Sequence, residues 1–335
     1  MLQQLMEKFP GISLAYLDAQ GNIHTECYGL ADRENNVPVT VETLFPACSI
    51  SKFITALCVM KLHQQGAIHI DAPANRFLHG WKLRNTDGSE SDATIRSLMN
   101  HTSGILDGEE GFYGHRRSHP EITLTDILEG RTAYNPRPAR CHRPGGEAFE
   151  YSDAGYCVLQ QLLEEVTGKD FDGLVRELIF SPLGLDNAFF ATRANLDFYE
   201  NRLPMAAGYC DDGTLLAGKY LPCPDQAASG LWLSPMALLT IAGQFLGALR
   251  GGGCLLKQSS AREMALPAER FPWTGLGLFR EGEDILLSKG WGENGQCMLR
   301  MNRATGEIAV VMTNRNPDAP QEESGVEWLA KRPFS

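Results

Sequence analysis

The sequence has no excess of positive charge and no long apolar run. Of its 335 residues, 30 are Lys or Arg and 41 are Asp or Glu, so the formal net charge is −11. Nucleic-acid-binding proteins need a basic footprint, which this charge balance does not supply, and an acidic chain has no net attraction to anionic lipid. No segment approaches the roughly 18 apolar residues of a membrane span. We therefore expect neither a nucleic acid nor a membrane as a partner.

The sequence also lacks a recognisable cysteine framework. Its nine cysteines are odd in number, are scattered along the chain and include no C-x-x-C pair, which argues against both a disulfide scaffold and a zinc site. The first ten residues, MLQQLMEKFP, lack the basic and apolar regions of a secretory signal. We therefore expect reduced thiols, a cytoplasmic location, and no metal or other cofactor.

What the chain does contain is typical of a globular protein. Hydrophobic residues make up 43% and charged residues 21% of the sequence, and its length suggests about two structural units. Apolar spacing and turn residues predict helices over residues 49–65, 123–129, 155–167, 171–180, 235–249 and 322–330. Strand formers bounded by turns predict strands over 12–17, 23–28, 276–280, 284–287, 296–302 and 308–313.

This order of elements predicts an α/β (α+β) fold. Sequential strands joined by short turns form antiparallel sheets, so we expect one antiparallel sheet flanked by helices. Residues 1–70 and 227–335 would form this sheet domain, and residues 71–226 a large, mainly helical inserted lobe. A cleft between two lobes is a common place for a small-molecule site.

Ser49 and Lys52 form the first candidate catalytic pair. They stand three residues apart at the start of a predicted helix, so their side chains lie on one face. A serine hydroxyl is a weak nucleophile until a neighbouring base takes its proton, and a helix N-terminus adds partial positive charge beside a developing oxyanion. Ser51 does not have this spacing. On its own, the tetrapeptide favours the simpler interpretation of an N-cap serine with a solvated lysine.

Five short segments, which follow one another along the chain, strengthen the case that this pair is catalytic. They are 45–53 (FPACSISKF), 98–104 (LMNHTSG), 144–156 (PGGEAFEYSDAGY), 230–235 (GLWLSP) and 289–292 (KGWG), the last followed by IAVVMTN at 308–314. Together they resemble the serine β-lactamase and penicillin-binding-protein superfamily, with its S-x-x-K element, and most closely its class C β-lactamase and esterase branch. The resemblance spans nearly the whole chain and implies a β-lactamase/transpeptidase-like fold.

The resemblance also implies roles for individual residues. Tyr151, in the position of the family's Tyr-x-Asn element, would lie beside Ser49 and Lys52 and help to move the proton. The backbone N–H groups of Ser49 and Trp291 would form the oxyanion hole. Asp153, a candidate substrate-binding residue, stands where the family has Asn, whose amide can donate a hydrogen bond to a substrate carbonyl. A carboxylate only accepts hydrogen bonds and favours the charged form of a nearby Lys52, which would make Lys52 a poorer base; alternatively, Asp153 caps the following helix.

The third family element is Lys-x-Gly or His-x-Gly on a strand lining the site. Our preferred register places Ser288, Lys289 and Gly290 there as substrate-binding residues, with Ser288 in the first slot. The alternative register uses Lys289 itself and displaces Gly290. Either way the basic residue that helps relatives to hold a substrate carboxylate is absent or displaced, which argues against β-lactam turnover.

Several other residues are weaker candidates for a functional role. His101 resembles a structural loop residue of the family. The arginine-rich residues 131–143 either form a solvated loop or line the cleft mouth and attract an anion, and a rim at 112–117 belongs with them. The acidic residues Asp107, Glu109 and Glu110 have no accompanying metal ligands. A thiol enzyme using Cys48 is disfavoured because no histidine is placed to serve it.

We therefore expect a metal-independent serine hydrolase that forms an acyl-enzyme on Ser49. Its substrate would be a small molecule, and small esters are favoured because the esterase branch tolerates changes in the second and third elements. A D-amino-acid-type peptidase or amidase, or a β-lactamase, using the same serine is the first alternative. A binding or scaffold protein that retains the fold without turnover is the second, since fold alone does not establish function.

Overall fold

The computed structural model describes residues 2–108 and 111–334. In this part of the chain the strands are β1 (Gly11–Leu17), β2 (Ile23–Asp32), β3 (Val37–Pro38), β4 (Phe45–Pro46), β5 (Arg84–Asn85), β6 (Arg140–Cys141), β7 (Phe189–Phe190), β8 (Leu231–Leu233), β9 (Phe279–Glu281), β10 (Ile285–Gly292), β11 (Gly295–Asn302) and β12 (Ile308–Thr313). The helices are α1 (Leu2–Lys8), α2 (Ser51–Gln64), α3 (Ile95–Met99), α4 (Leu124–Leu128), α5 (Asp153–Thr167), α6 (Phe171–Val175), α7 (Arg193–Tyr199), α8 (Gln226–Ser229), α9 (Pro235–Leu249), α10 (Gln258–Ala265), α11 (Gln321–Ser324) and α12 (Val326–Lys331).

Seven strands form one antiparallel sheet in the order β3-β2-β1-β12-β11-β10-β9. At its centre β1 pairs with β12, with Ile12 opposite Thr313 and Leu17 opposite Ile308. Every residue of β12 is buried, because helices cover both faces of the sheet: α9 contacts β1 and β12, and α12 contacts β11 and β12. The structure confirms the predicted antiparallel sheet flanked by helices.

Helix α9 follows its sequence signals closely. The side chain of Ser234 accepts a hydrogen bond from the N–H of Ala237, and Pro235 occupies the first helical position, where its missing N–H costs nothing. The C-terminal helix predicted at 322–330 is instead two helices, α11 and α12, because Gly325 between them has a φ of 97°, which no helical residue adopts. Helices α1 and α10 were not predicted. In the described residues, no helix is both long and apolar enough to cross a membrane.

Helix α2 runs through the centre of the molecule. The apolar spacing predicts one buried face, but every residue from Ser51 to Met60 is buried, so the expectation of a single buried face is wrong. A helix that is enclosed on all sides packs in the core of a protein. It contacts α5, α8 and α10, and its polar residues Lys52 and Thr55 are therefore held inside the protein.

Residues 71–226 contain α3 to α7, the two-stranded ladder of β5 with β6, and β7. Strand β7 joins β4 and β8 in a three-stranded sheet of its own. The largest cluster of buried apolar side chains includes Leu98 and Val158 from this region together with Phe53 and Leu299 from the sheet region. The core is thus continuous across the predicted boundary at residue 71, and the division into two domains stays a prediction.

Candidate active site

Ser49 lies in a short turn, Cys48–Ile50, that leads directly into α2. The preceding Cys48 has a φ of 48°, a left-handed conformation that is costly for residues other than glycine. The hydrogen bonds of the turn run from the N–H of Ile50 to the carbonyl of Ala47 and from that of Ser51 to Cys48. The N–H of Ser49 lies outside these bonds, as the first N–H groups of a helix do, and is available to an oxyanion.

Two neighbours of Ser49 have other partners. The hydroxyl of Ser51 donates to the carbonyl of Cys48 at 2.6 Å and accepts the N–H of Leu231 at 3.0 Å, so it ties the turn to β8. The neighbouring thiol of Cys297 and burial raise the pKa of Cys48, which disfavours the reactive thiolate. This environment argues further against Cys48 as the nucleophile.

The ammonium group of Lys52 has an acceptor for each of its three protons. Its Nζ donates to the Oγ of Ser49 at 3.1 Å, to Oδ1 of Asp153 at 2.5 Å and to the carbonyl of Ala228 at 2.9 Å. Only 4% of the side chain is exposed. A lysine that donates three hydrogen bonds is a charged lysine, so the structure places an ammonium, and not a free amine, beside the candidate nucleophile.

The charges around Lys52 stabilise this ammonium. Burial alone would lower the pKa of Lys52, but the negative charge of Asp153, and that of Tyr151 when ionised, raise it well above its usual value. A group with such a pKa is a poor general base near neutral pH. Lys52 therefore acts here as a fixed positive charge next to Ser49.

Tyr151 stands against the same ammonium. The Nζ of Lys52 lies 4.9 Å from the centre of the Tyr151 ring, and 39% of the residue is exposed. Burial around the hydroxyl raises the pKa of Tyr151, the charge of Lys52 lowers it, and the charge of Asp153 raises it again, with a net rise. The charge of Lys52 and a hydrogen bond from Ser49 favour the phenolate. The phenolate is thus the minor form at neutral pH, although it is the form that Ser49 and Lys52 are placed to stabilise.

His101 supports Tyr151 from behind. Its ring stacks on that of Tyr151 with the centres 4.3 Å apart, and its Nδ1 accepts the N–H of Ser152 at 3.2 Å. Burial and the charge of Lys52 hold the pKa of His101 well below its usual value, so the ring is neutral. This buried, neutral imidazole fits the structural role that the sequence suggests and not that of a base.

The first turn of α5 explains what Asp153 does. The cap of this helix is Ser152, whose Oγ accepts the N–H of Gly155 at 2.9 Å. The carboxylate of Asp107 accepts the hydroxyl of Ser152 at 2.7 Å and the N–H of Asp153 at 2.5 Å. Because these two residues satisfy the helix terminus, the carboxylate of Asp153 is free to bind Lys52. Of the two roles left open by the sequence, the structure favours the partner of Lys52 over the helix cap.

Strand β10 crosses the nucleophile turn so closely that only glycine fits at two positions. A Cβ on Gly290 would lie 2.4 Å from the carbonyl oxygen of Ala47, and one on Gly292 would lie 2.9 Å from the sulfur of Cys48. These separations are shorter than any normal contact, so a larger residue would push the strand away. The two glycines therefore hold Trp291, which lies between them, next to Ser49.

The backbone N–H of Trp291 points to the open edge of β10. The hydroxyl of Thr313 on β12 accepts the N–H of Gln296 at 3.0 Å and donates to its carbonyl at 2.9 Å, so the backbone groups of Gln296 face away from β10. Trp291 is opposite Gln296 and thus forms a non-hydrogen-bonded pair. Strand β9 ends before this point, since it pairs only with residues 285–287 of β10. Trp291 and Ser49 line one cavity.

Lys289 does not lie at this site. Side chains alternate between the two faces of a strand, and Gly290 faces the nucleophile turn, so Lys289 faces the other way. Its Nζ binds Oε1 of Glu322 at 2.7 Å on the opposite side of the sheet. This corrects the expectation that Lys289 helps to hold a substrate. Ser288 is buried and shares the face of Gly290, as our preferred register predicts; its role in substrate binding stays a prediction.

A small cavity of about 70 Å³ opens above Ser49. This space holds a few water molecules or a short acyl chain. Its wall is polar and apolar in about equal parts, with two carboxylates and, among the described residues, no lysine or arginine. It is formed by Cys48, Ser49, Phe112, Tyr113, His115, Tyr134, Asp153, Leu221, Pro222, Cys223, Ser229, Trp291, Gly292, Glu293 and Asn294.

The arginines near the cavity are paired with carboxylates. Arg116 binds Glu293 at 2.6 Å, and Arg117 binds Asp197 and Glu200. In the arginine-rich segment 131–143, Arg131, Arg140 and Arg143 each have an acidic partner, and Arg137 is exposed. This pairing weakens the expectation of an anion-attracting mouth. Of the predicted acidic cluster, Asp107 binds the start of α5, whereas Glu109 and Glu110 lie outside the described residues.

Comparison with known proteins places the whole arrangement in a family. The Beta-lactamase family model matches residues 1–331. The chain belongs to the beta-lactamase family. Esterase EstB of Burkholderia gladioli is similar to it, with 29% identity over 238 residues. That match covers 70% of this chain but 60% of the esterase, so the chain spans less than two thirds of the length of this relative.

Solved structures show the beta-lactamase-type fold over the full chain. The octameric penicillin-binding protein homologue from Pyrococcus abyssi superposes with a TM-score of 0.79 at 23% identity, over 98% of this chain and 75% of that one. The D-amino acid amidase from Ochrobactrum anthropi SV3 also has a TM-score of 0.79, at 21% identity, over 99% of this chain and 95% of that one. At these identities the likeness concerns the fold.

Three features of the site were not found from the sequence. Asp107 holds the start of α5, the carbonyl of Ala228 accepts from Lys52, and Asp225 lies buried at the start of α8, where it accepts the hydroxyl of Tyr134 at 2.7 Å. Burial and the charge of Asp153 raise the pKa of Asp225 to about 7 and that of Asp107 to about 6. All three come from parts of the chain that are distant from Ser49 in the sequence, so no local sequence pattern predicts their place in the site.

Proposed function

We propose that this protein is a serine hydrolase that forms an acyl-enzyme on Ser49 and acts on small esters. The observation that carries the proposal is that Ser49 and Trp291, whose N–H points outward, line one cavity, while the hydroxyl of Ser49 accepts a hydrogen bond from the ammonium of Lys52 behind it. Nucleophile, fixed charge and oxyanion donor are the groups that acyl transfer requires.

In the acylation step the Oγ of Ser49 forms a bond to the ester carbonyl carbon. Its proton moves to the phenolate of Tyr151, while the charge of Lys52 stabilises that phenolate beforehand. The N–H groups of Ser49 and Trp291 receive the oxyanion; each such donor is worth about 2.7–4 kcal/mol in a transition state. The bond to the leaving alkoxide then breaks, and Tyr151 returns the proton to it as the alcohol departs. Water repeats these steps on the acyl-enzyme and releases the acid.

Two features favour esters over anionic amides and β-lactams. The cavity is small, at about 70 Å³, and its described wall offers no lysine or arginine to a substrate carboxylate. An ester alkoxide also leaves with less protonation than an amide nitrogen, which suits a site whose lysine stays charged. The similarity to Esterase EstB supports the same choice. An amidase that uses the same serine is the alternative to be tested beside it.

The first test is labelling with a fluorophosphonate, whose phosphorus accepts an activated serine oxygen as fluoride leaves. We expect one adduct by intact-protein mass spectrometry on the wild type and none on Ser49→Ala. Ser229→Ala is the matched control, because Ser229 lines the same cavity and should not be needed for labelling. A panel of short-chain esters, anilides and a β-lactam then ranks the substrate classes.

Absence of an adduct on the wild type at every pH from about 6 to 10, a range that reaches the titration of a phenol, would contradict the hydrolase proposal. In that case the chain would be a binding or scaffold protein that retains the fold. Labelling of Ser49 together with faster anilide than ester turnover would replace the esterase by the amidase.

A further inference from the structure

One oxygen of Asp153 has no partner in the described protein. Its Oδ1 accepts from Lys52, but no described group donates to Oδ2, and 22% of the side chain is exposed. The residue lines the cavity that contains Ser49. A carboxylate oxygen accepts hydrogen bonds and cannot donate them, so whatever occupies the cavity next to Asp153 must supply a donor.

The charge of the cavity wall points the same way. Its ionisable carboxylates are Asp153 and Glu293, and both oxygens of Glu293 are engaged, one by the N–H of Gly114 and the other by Arg116, each at 2.6 Å. Burial and nearby cations lower the pKa of His115, so this wall residue is neutral. Lys52 has no donor left for a ligand. Among the carboxylate oxygens of this wall, Oδ2 of Asp153 is therefore the one that no described group occupies.

We propose that the acyl part of the substrate carries a primary ammonium group on the carbon next to the scissile carbonyl, and that Oδ2 of Asp153 accepts a hydrogen bond from it. This rests on the proposed function, because it places the carbonyl at Ser49. An ammonium adjacent to the carbonyl fits a cavity of about 70 Å³, whereas a carboxylate at that point would meet Asp153 and no free cation. The substrate class is thus small α-amino esters or amides.

Three methyl esters that differ in one substituent test this class. Alanine methyl ester, methyl isobutyrate and monomethyl methylmalonate place an ammonium, a methyl or a carboxylate on the same carbon. The assay pH is about 6.5, below the pKa of about 8 of an α-amino group. For the wild type we expect kcat/KM to fall in that order. The ratio of the first ester to the second is expected to fall at least tenfold in Asp153→Asn.

Asp225→Asn is the matched control. Asp225 is also a carboxylate close enough for the charge of Asp153 to raise its pKa, but it is fully buried and does not line the cavity. We expect its loss to leave the ratio within about twofold, because Asp225 does not line the cavity and cannot contact the ammonium of a substrate bound there. Changes in the basicity of the site act on both esters alike, so the ratio isolates recognition of the ammonium.

A binding measurement keeps the proposal testable without turnover. The Ser49→Ala protein is titrated with alaninamide and with isobutyramide, which differ only in the ammonium, and the shifts of backbone NMR signals give the two affinities. We expect alaninamide to bind at least tenfold more tightly. Equal affinities, or an ester ratio that is unchanged in Asp153→Asn, would overturn the inference. Hydrolysis of methyl isobutyrate that requires Ser49 would still support the esterase, so the two proposals fail separately.

Discussion

Replacing Asp153 with asparagine is expected to move the pH profile of neutral-ester hydrolysis toward lower pH. In the wild type the base form of Tyr151 is scarce, because burial and the charge of Asp153 raise its pKa above the usual 10. Below that pKa the fraction of phenolate grows tenfold per pH unit. We therefore expect log kcat/KM for methyl isobutyrate to rise with a slope of one and to reach no plateau below about pH 10.

The size of the shift follows from the contact that the variant removes. The carboxylate of Asp153 lies 2.5 Å from the Nζ of Lys52, and the two side chains are 22% and 4% exposed. An opposite charge this close changes a pKa by about 1–3 units, and each unit corresponds to about 1.4 kcal/mol. Without it, the pKa of Lys52 falls because burial then dominates, and the pKa of Tyr151 falls because a nearby negative charge is gone.

Both changes make a base available at lower pH. For each protein, kcat/KM at about pH 7.5 is divided by its own kcat/KM at about pH 10. We expect this quotient to be at least tenfold larger for Asp153→Asn than for the wild type, which corresponds to one unit of pKa shift. The rate of fluorophosphonate labelling should follow the same profile, which excludes product release as the cause. An alkaline limb at the same pH in both proteins, with intact circular dichroism, would refute the assignment of the base and of its control by Asp153.

Three further outcomes are expected. Gly290→Ala should lower kcat/KM at least about 100-fold, the cost of losing an oxyanion donor, because its Cβ would lie 2.4 Å from the carbonyl of Ala47 and push β10 away. The control Gly252→Ala, whose Cβ would have its nearest contact at 3.6 Å, should leave kcat/KM unchanged. Equal activities of the two variants would contradict the placement of β10. The imidazole signals of His101 should show no titration between about pH 5.5 and 8 by NMR, because burial and the charge of Lys52 keep its pKa far below 6.5; a midpoint in that range would refute its neutral state. The pKa of Asp225 is about 7 in the folded protein and 3.8 for an ordinary aspartate, so the stability that it contributes below pH 3.8 is lost as the pH rises toward 7. By urea unfolding, the wild type should lose roughly 2–3 kcal/mol more unfolding free energy than Asp225→Asn between about pH 5 and 7.5. Equal losses in the two proteins would contradict this.

Local patterns predicted the elements that local forces determine. Helix α9 has its cap at Ser234 and a proline at its first position, and its predicted bounds coincide with the structure. Strand β12 is a short run of β-branched and apolar residues ended by turns, and its bounds coincide as well. The contact of Ser49 with Lys52 follows from their spacing of three residues across the turn that begins α2, as the 3.1 Å hydrogen bond shows.

Relations between distant segments could not be predicted in this way. The two-residue period of a strand shows that Lys289 and Gly290 face opposite sides, but it does not show which side faces Ser49. The role of Asp153 depended on whether Ser152 or Asp153 caps α5, and the decision lies with Asp107, which is 46 residues away in the chain. Such choices are made by packing in three dimensions.

The pairing of β1 with β12 at the centre of the sheet has a consequence for the order of synthesis. Ser49 is synthesised 242 residues before Trp291, and β12, which closes the sheet against β1, follows Trp291 in the chain. At about 5–20 residues per second, the serine waits some tens of seconds before its oxyanion donor exists. During that time the nascent chain has the proposed nucleophile but not its oxyanion donor, so the proposed active site is complete only when β10 to β12 have folded.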